Sequence, residues 1–159
     1  MSSRHAVPVA VLVTGLLLTA CGTSTPAAAP RTASDPMVTD EVAHISRQDL
    51  RQRMADHSIT VIDTLPADMH RGSHLPGSIN IPGFPYNIAA KSTDDLAPKL
   101  VPDKSTPVAL YCINPPCRNS EFVGREMVKL GYTKVTKYAE GIDDWVKAGL
   151  PLEGESAGH

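Results

Sequence analysis

The hydrophobic and polar positions divide the chain into three stretches. Ala6 to Leu18 is almost wholly apolar, and from Gly22 to about residue 40 the side chains are small, polar and punctuated by proline. From residue 44 onward, short apolar runs alternate with amphipathic ones. Leu50 and Met54 lie four apart on one helix face, behind Ser46 and Asp49, which have the spacing of an N-cap and its partner. Residues 59–63 form a β-rich run that predicts a buried strand, and 78–81 predict a second, closed by Pro82. The segment from Ser92 to Leu96 predicts a helix start, with a capping serine and early acidic residues at the positive end of the dipole. A third strand is expected at 107–111, ending at Cys112, followed by a helix over 120–130 that Gly131 stops. A fourth strand at 134–138 and a last helix at 142–148, stopped by Gly149, complete the pattern. Strand and helix alternate, which predicts an α/β fold with a parallel sheet covered by helices on both faces.

The first stretch changes the picture of where the protein works. Arg4 and His5 precede the apolar run, which is shorter than the roughly 20 apolar residues of a spanning helix and ends at Leu18-Thr19-Ala20-Cys21. That layout is a secretory signal, and Leu-Thr-Ala-Cys resembles the lipobox of bacterial lipoproteins. The resemblance implies that Cys21 is lipidated, becomes the new N-terminus and anchors the protein to the outer face of the bacterial membrane. Expected organisation is therefore a lipoprotein signal peptide at 1–20, a lipidated cysteine and flexible tether at 21–40, a folded domain at 41–155 and a disordered tail at 156–159. The alternative is an ordinary secretory peptide with a chance cysteine. A single folded domain suits the 159 residues, and a net charge of −2 with no basic run gives nucleic acid nothing to bind.

The chemistry concentrates at Cys112-Ile-Asn-Pro-Pro-Cys-Arg-Asn-Ser120, where the third strand passes into a helix. A cysteine there lies beyond the carboxyl end of a strand and before a helix N-terminus, where N–H groups and the dipole favour a thiolate. Cys112 is the expected nucleophile. Arg118 would attract an anionic donor, and Cys117 would resolve or modulate. Ile113, Asn114, Pro115, Pro116, Asn119 and Ser120 would form the substrate-binding loop. Asp63, at a strand end, either faces this site or caps the following turn. His57 and His70 read as surface residues, Asp143 and Asp144 as a solvated helix start, and Trp145 as core packing for the last helix. The bland alternative for Cys112 is a buried structural thiol.

Several stretches together resemble the rhodanese family. They are Val61-Ile62-Asp63, Gly72-Ser-His-Leu-Pro-Gly-Ser-Ile-Asn-Ile-Pro82, Leu110-Tyr111-Cys112, Gly131-Tyr132-x-x-Val135 and Gly141-x-x-x-Trp145-x-x-Ala148-Gly149-Leu150-Pro151. They cover about 44–153 in the family's order. The resemblance implies a single rhodanese-like domain with a parallel five-stranded sheet flanked by helices, sulfane-sulfur transfer through a persulfide on Cys112, and a structural role for His74. The loop departs from the common active form. Arg118 stands six positions after Cys112, and aligning the helix from Ser120 puts Asn119 at the usual arginine position, so the loop is longer by one or two residues. The family's early Asp-x-Arg is absent, Asp63 being followed by Thr64 and Leu65. A second cysteine inside the loop, as Cys117 is here, occurs in some rhodanese-like sequences.

Three other readings compete. Cys-x5-Arg is also the spacing of cysteine phosphatases, but Pro115 and Pro116 lack the N–H groups that a phosphate cradle requires. Cys112 and Cys117 could form a disulfide, either static or regenerated when Cys117 attacks a persulfide on Cys112. The domain could also be a non-catalytic binding module. No metal or organic cofactor is expected, since two cysteines without a histidine cluster make a poor zinc site. Expected partners are a small sulfur donor or acceptor, or a thiol protein, with the membrane reached only through Cys21 and the domain monomeric.

Overall fold

The computed structural model describes residues 42–157. Their elements, in chain order, are β1 (Ala43–His44), α1 (Arg47–Ala55), β2 (Thr60–Asp63), α2 (Ala67–Gly72), β3 (Ile79–Asn80), α3 (Tyr86–Leu100), β4 (Val108–Tyr111), α4 (Asn119–Lys129), β5 (Val135–Tyr138) and α5 (Gly141–Lys147). The strands form one parallel sheet in the order β1-β5-β4-β2-β3, so β4 is central. The expected α/β fold with a five-stranded parallel sheet is what the chain adopts.

Period-two alternation along β4 explains why helices cover both faces. Val108 and Leu110 enter one apolar cluster with Ala97, Val123, Met127 and Tyr132, brought by α3, α4 and the turn after α4. Ala109 and Tyr111 enter the other with Leu50, Ile142 and Trp145, from α1 and α5. All four β4 residues are fully buried, as expected of a central parallel strand. Trp145 packs in the core as anticipated, with its indole N–H donating to Pro151 O at 2.8 Å.

Helix α1 starts where the sequence places it, with Ser46 Oγ accepting the Asp49 N–H at 3.1 Å. Helix α3 does not. It begins at Tyr86, directly after Pro85, so Ser92 lies well inside it. The Ser-Thr-Asp-Asp run mimics a cap, but Thr93 Oγ1 donates to Ala89 O at 2.8 Å, which satisfies the hydroxyl within the helix. β1 and α2, absent from the pattern reading, are two and six residues long, too short to show a period. Residues 153–157, which include the start of the expected tail, return to α2. The Glu155 and Ser156 N–H groups donate to Arg71 O and Gly72 O at 3.0 and 2.8 Å.

The expected signal peptide, Cys21 and the tether lie outside the described residues, as does the end of the tail at 158–159. Among the described residues no helix is long and apolar enough to cross a membrane.

Candidate functional site

Cys112 follows the last residue of β4 and opens a loop that runs to Arg118, immediately before α4. It is only 4% exposed. Its backbone is fixed from across the sheet end: the Ile142 and Asp143 N–H groups, at the start of α5, donate to Cys112 O and Ile113 O at 2.9 and 3.0 Å. That approach requires Gly141. A Cβ there would fall 2.5 Å from both carbonyl oxygens, and its φ of +71° is one that side chains other than glycine rarely adopt. Asn114 Nδ2 adds a bond to Asp143 Oδ2 at 2.5 Å.

Cys117 returns to Cys112 and the two sulfurs are joined in a disulfide, with the Cα atoms 6.2 Å apart. The turn between them closes with the Cys117 N–H donating to Asn114 O at 2.8 Å. This limits the expected N–H cradle. Pro115 and Pro116 carry no N–H, and that of Cys117 already bonds within the loop. The phosphatase alternative loses the same donors.

Arg118 is exposed and turned along its own helix. Its guanidinium carbon lies 5.0 Å from the centre of the Phe122 ring, and Nη2 is 3.4 Å from Glu121 Oε1. Arg125 holds the same carboxylate oxygen at 2.6 Å. Asn119 and Ser120 are buried rather than lining an open surface. Asn119 Nδ2 donates to Thr64 O at 3.1 Å, so its amide locks the helix start to the end of β2. Ile113 is half-buried and borders an open apolar groove of about 330 Å³ with Leu65, Met69, Ile142 and Val146.

Asp63 resolves toward capping. It is fully buried; Oδ1 accepts the Leu65 N–H at 2.8 Å, and Oδ2 accepts the Tyr111 hydroxyl at 2.7 Å and His70 Nδ1 at 2.9 Å. Of its two expected roles, facing the site or capping the turn, these contacts are those of the cap: the carboxylate is wholly buried and holds three donors. His70 is likewise no plain surface residue. It stacks on His74 with ring centres 4.1 Å apart, and His74 Nδ1 donates to His70 O at 2.6 Å, consistent with a structural His74. His57 is exposed, as expected. The acidic pair on α5 is engaged rather than solvated. Asp143 accepts from Asn114, while Asp144 accepts from Arg47 at 2.7 Å and from the Tyr138 hydroxyl. The Tyr138 bond and then Arg47 hold the Asp144 carboxyl below its ordinary value.

Sequence reasoning missed Thr64 and the α5 N–H groups. Thr64 is fully buried and its Oγ1 donates to Tyr111 O at 2.6 Å, so it ties the end of β2 to the residue before Cys112. No local pattern signals such cross-chain bonds; Gly141 alone carried a trace, as a glycine at a helix start. Among the described residues no group of three or more metal-ligating side chains is assembled.

A family model described as a rhodanese-like domain matches residues 46–148. The chain belongs to the rhodanese-like domain family. The structure of the BH2092 protein from Bacillus halodurans superposes on this domain with a TM-score of 0.61 at 25% identity, over 72% of this chain and 79% of that one. A thiosulfate sulfurtransferase from Pseudomonas aeruginosa shares the rhodanese-like fold with a TM-score of 0.58 at 19% identity, over 71% of this chain and 20% of that one. In sequence, the chain is 32% identical over 133 residues to the HTH-type transcriptional regulator Rv0324 of Mycobacterium tuberculosis, which covers 80% of this chain. It spans 52% of that regulator's length.

Proposed function

We propose that this rhodanese-like domain is a sulfurtransferase that carries sulfane sulfur as a persulfide on Cys112, with the Cys112–Cys117 disulfide as its oxidised resting form. The observation that carries the reading is the position of Cys112 at the carboxyl end of the central strand β4, one short loop before the N-terminus of the eleven-residue helix α4. That end of an open parallel sheet is where ligands bind, and the helix dipole favours a thiolate there. After a thiol reductant has exchanged with the disulfide and left oxidised, giving up two electrons, the Cys112 thiolate attacks the outer sulfur of an anionic donor such as thiosulfate and displaces sulfite. The Arg118 guanidinium, resting on Phe122, attracts the donor. The outer sulfur then passes to an acceptor thiol. Alternatively the Cys117 thiolate attacks Cys112 Sγ, breaks its bond to the outer sulfur and releases hydrosulfide as the disulfide re-forms.

The same reading places the domain outside the cytoplasm, exported and held at the membrane by a lipid on Cys21, where disulfides persist. Two or three acyl chains at about 0.8 kcal/mol per buried CH₂ would anchor it stably. It would act as a monomer, on a small sulfur donor or a thiol protein. The disulfide itself favours a second reading, a thiol/disulfide redox protein in which sulfur transfer plays no part.

Intact-mass analysis of the reduced protein after incubation with thiosulfate or a low-molecular-weight persulfide separates the two. The expected result is a gain of one sulfur atom that Cys112→Ser abolishes and Cys117→Ser does not. No gain with any donor, from folded and reduced protein, would overturn sulfur transfer. Detergent-phase partitioning of the full chain, lost in Cys21→Ser, tests the anchor.

A further inference from the structure

Both phenylalanines of the chain and one of its four tyrosines lie in one cluster at the edge of the cysteine loop. Phe84 and Tyr86 are 52% and 51% exposed, and their rings meet edge to face at 5.6 Å. Tyr86 leans on Phe122 at 4.8 Å, and Phe122 carries the Arg118 guanidinium. The other three tyrosines and Trp145 are all buried in the core. In a protein with 4% aromatic residues, leaving Phe84 and Tyr86 half-exposed in a run of ring contacts that ends on the half-buried Phe122 requires an explanation.

The cluster is fixed relative to the disulfide. The Gly83 N–H and Asn119 Nδ2 both donate to Thr64 O, at 2.9 and 3.1 Å. A Cβ on Gly83 would lie 2.7 Å from Asn119 Cβ, so the segment leading into Phe84 rests directly on a residue two positions after Cys117. The disulfide is also asymmetric. Cys112 is 4% exposed, whereas Cys117 is only partly buried. Of the two sulfur-bearing residues Cys117 is therefore the more accessible to an attacking thiolate, and Cys112, at the end of β4 before a helix N-terminus, is the one favoured to leave as thiolate.

We propose that the ledge formed by Phe84, Tyr86 and Phe122, with Arg118 at its rim, docks a protein dithiol that reduces the Cys112–Cys117 disulfide by attack on Cys117. This rests on the reading of Cys112 as the working thiol. The ledge is continuous with the loop that carries the sulfur under attack, and a small thiol would touch none of its rings. Aromatic and arginine side chains are the groups that dominate protein–protein recognition. Arg118 is 56% exposed and holds Glu121 at 3.4 Å where Arg125 holds it at 2.6 Å, which leaves guanidinium donors for a carboxylate on the partner. In the reaction a partner thiolate bonds to Cys117 Sγ, the disulfide breaks and Cys112 departs with the electron pair. The partner's second cysteine then attacks the mixed disulfide at its own partner sulfur, which releases Cys117 as a thiolate. The partner ends as a disulfide and the domain gains two electrons.

The test measures reduction of the oxidised full chain by two probes, reduced thioredoxin and dithiothreitol. In the Phe84→Ser/Tyr86→Ser double variant the thioredoxin rate should fall at least tenfold while the dithiothreitol rate stays within twofold. Single variants, Phe84→Ser and Tyr86→Ser, should each show part of the loss. A thioredoxin rate unchanged by the substitutions overturns the docking surface; so does an equal loss with both probes, which would mean that the rings act on the disulfide's conformation. A thioredoxin variant lacking its second cysteine should be trapped on Cys117, and trapping on Cys112 overturns the proposed attack. Failure of sulfur loading on reduced protein would remove the sulfurtransferase reading but would leave these rates interpretable.

Discussion

The Tyr111 hydroxyl donates to Asp63 Oδ2 at 2.7 Å, and both residues are wholly excluded from solvent. The bond joins the end of β2 to the residue that precedes Cys112, so the reactive loop leaves the sheet from a pinned point. The same hydroxyl accepts the Leu75 N–H at 3.1 Å, which draws the segment after α2 into the pin. Asp63 thus serves the site by holding the strand end beneath it.

Tyr111→Phe keeps the ring and removes these two bonds together with a third, to Ser78 Oγ at 3.3 Å. Leaving a buried carboxylate oxygen and a buried N–H short of partners is expected to cost about 1–3 kcal/mol, read from the midpoint of chemical denaturation. An unchanged midpoint would show that the core compensates fully.

Gly141→Ala sets a methyl group against Cys112 O and Ile113 O. Backbone strain and the displaced loop are expected to cost about 3 kcal/mol, together with slowed sulfur loading of Cys112. Loading at the normal rate in a stable variant would show that α5 does not position the loop.

Reduction of the disulfide opens a short loop, since the cysteines are five positions apart. Loop-closure entropy for so small a ring corresponds to about 2 kcal/mol. The unfolding midpoint should fall on addition of reductant, and Cys117→Ser should lie at the reduced value and no longer respond.

Burial first, with added repulsion from Asp63 at Tyr111 and a bond to Asp144 at Tyr138, holds the phenols of Tyr111, Tyr132 and Tyr138 above the ordinary tyrosine value. A group whose folded value is raised keeps its full contribution below the unfolded value and loses it as pH climbs toward the folded one. Stability should therefore hold up to the ordinary tyrosine value of 10.0 and fall above it. Denaturation midpoints across that range check this, and Tyr111→Phe should flatten the decline.

Arg118→Ala removes an exposed guanidinium whose 3.4 Å contact with the buried Glu121 is backed by Arg125 on the same oxygen at 2.6 Å. Stability should change little, while loading from thiosulfate should slow about tenfold, the scale of one charge-assisted hydrogen bond. The residual rate should lose its dependence on ionic strength. A variant that loads at the normal rate would exclude Arg118 from donor capture.

The apolar run of β4 and the N-cap at Ser46 were legible because they are local: burial on both faces writes an unbroken apolar strand, and a cap writes a hydroxyl at fixed spacing. The helix start near Ser92 was misread for the same reason, since Thr93 can bond within a helix as readily as before one. The site divides similarly. Cys112 at a strand exit, Cys117 nearby and Arg118 behind it are visible in order along the chain. That Asp63 is held by Tyr111, His70 and Leu65, and that Gly83 rests against Asn119, are contacts between segments remote in sequence.

By itself the sequence determined the α/β alternation, the rhodanese-like pattern and the cysteine pair at the exit of the third predicted strand, because periodicity and turn residues act over a few positions. Tertiary structure alone decided which polar groups face one another: the capped Asp63, the α5 N–H groups on Cys112 and Ile113, the closed disulfide and the exposed aromatic ledge. Those arrangements depend on how five strands are ordered across the sheet, and strand order brings together residues that no local spacing connects.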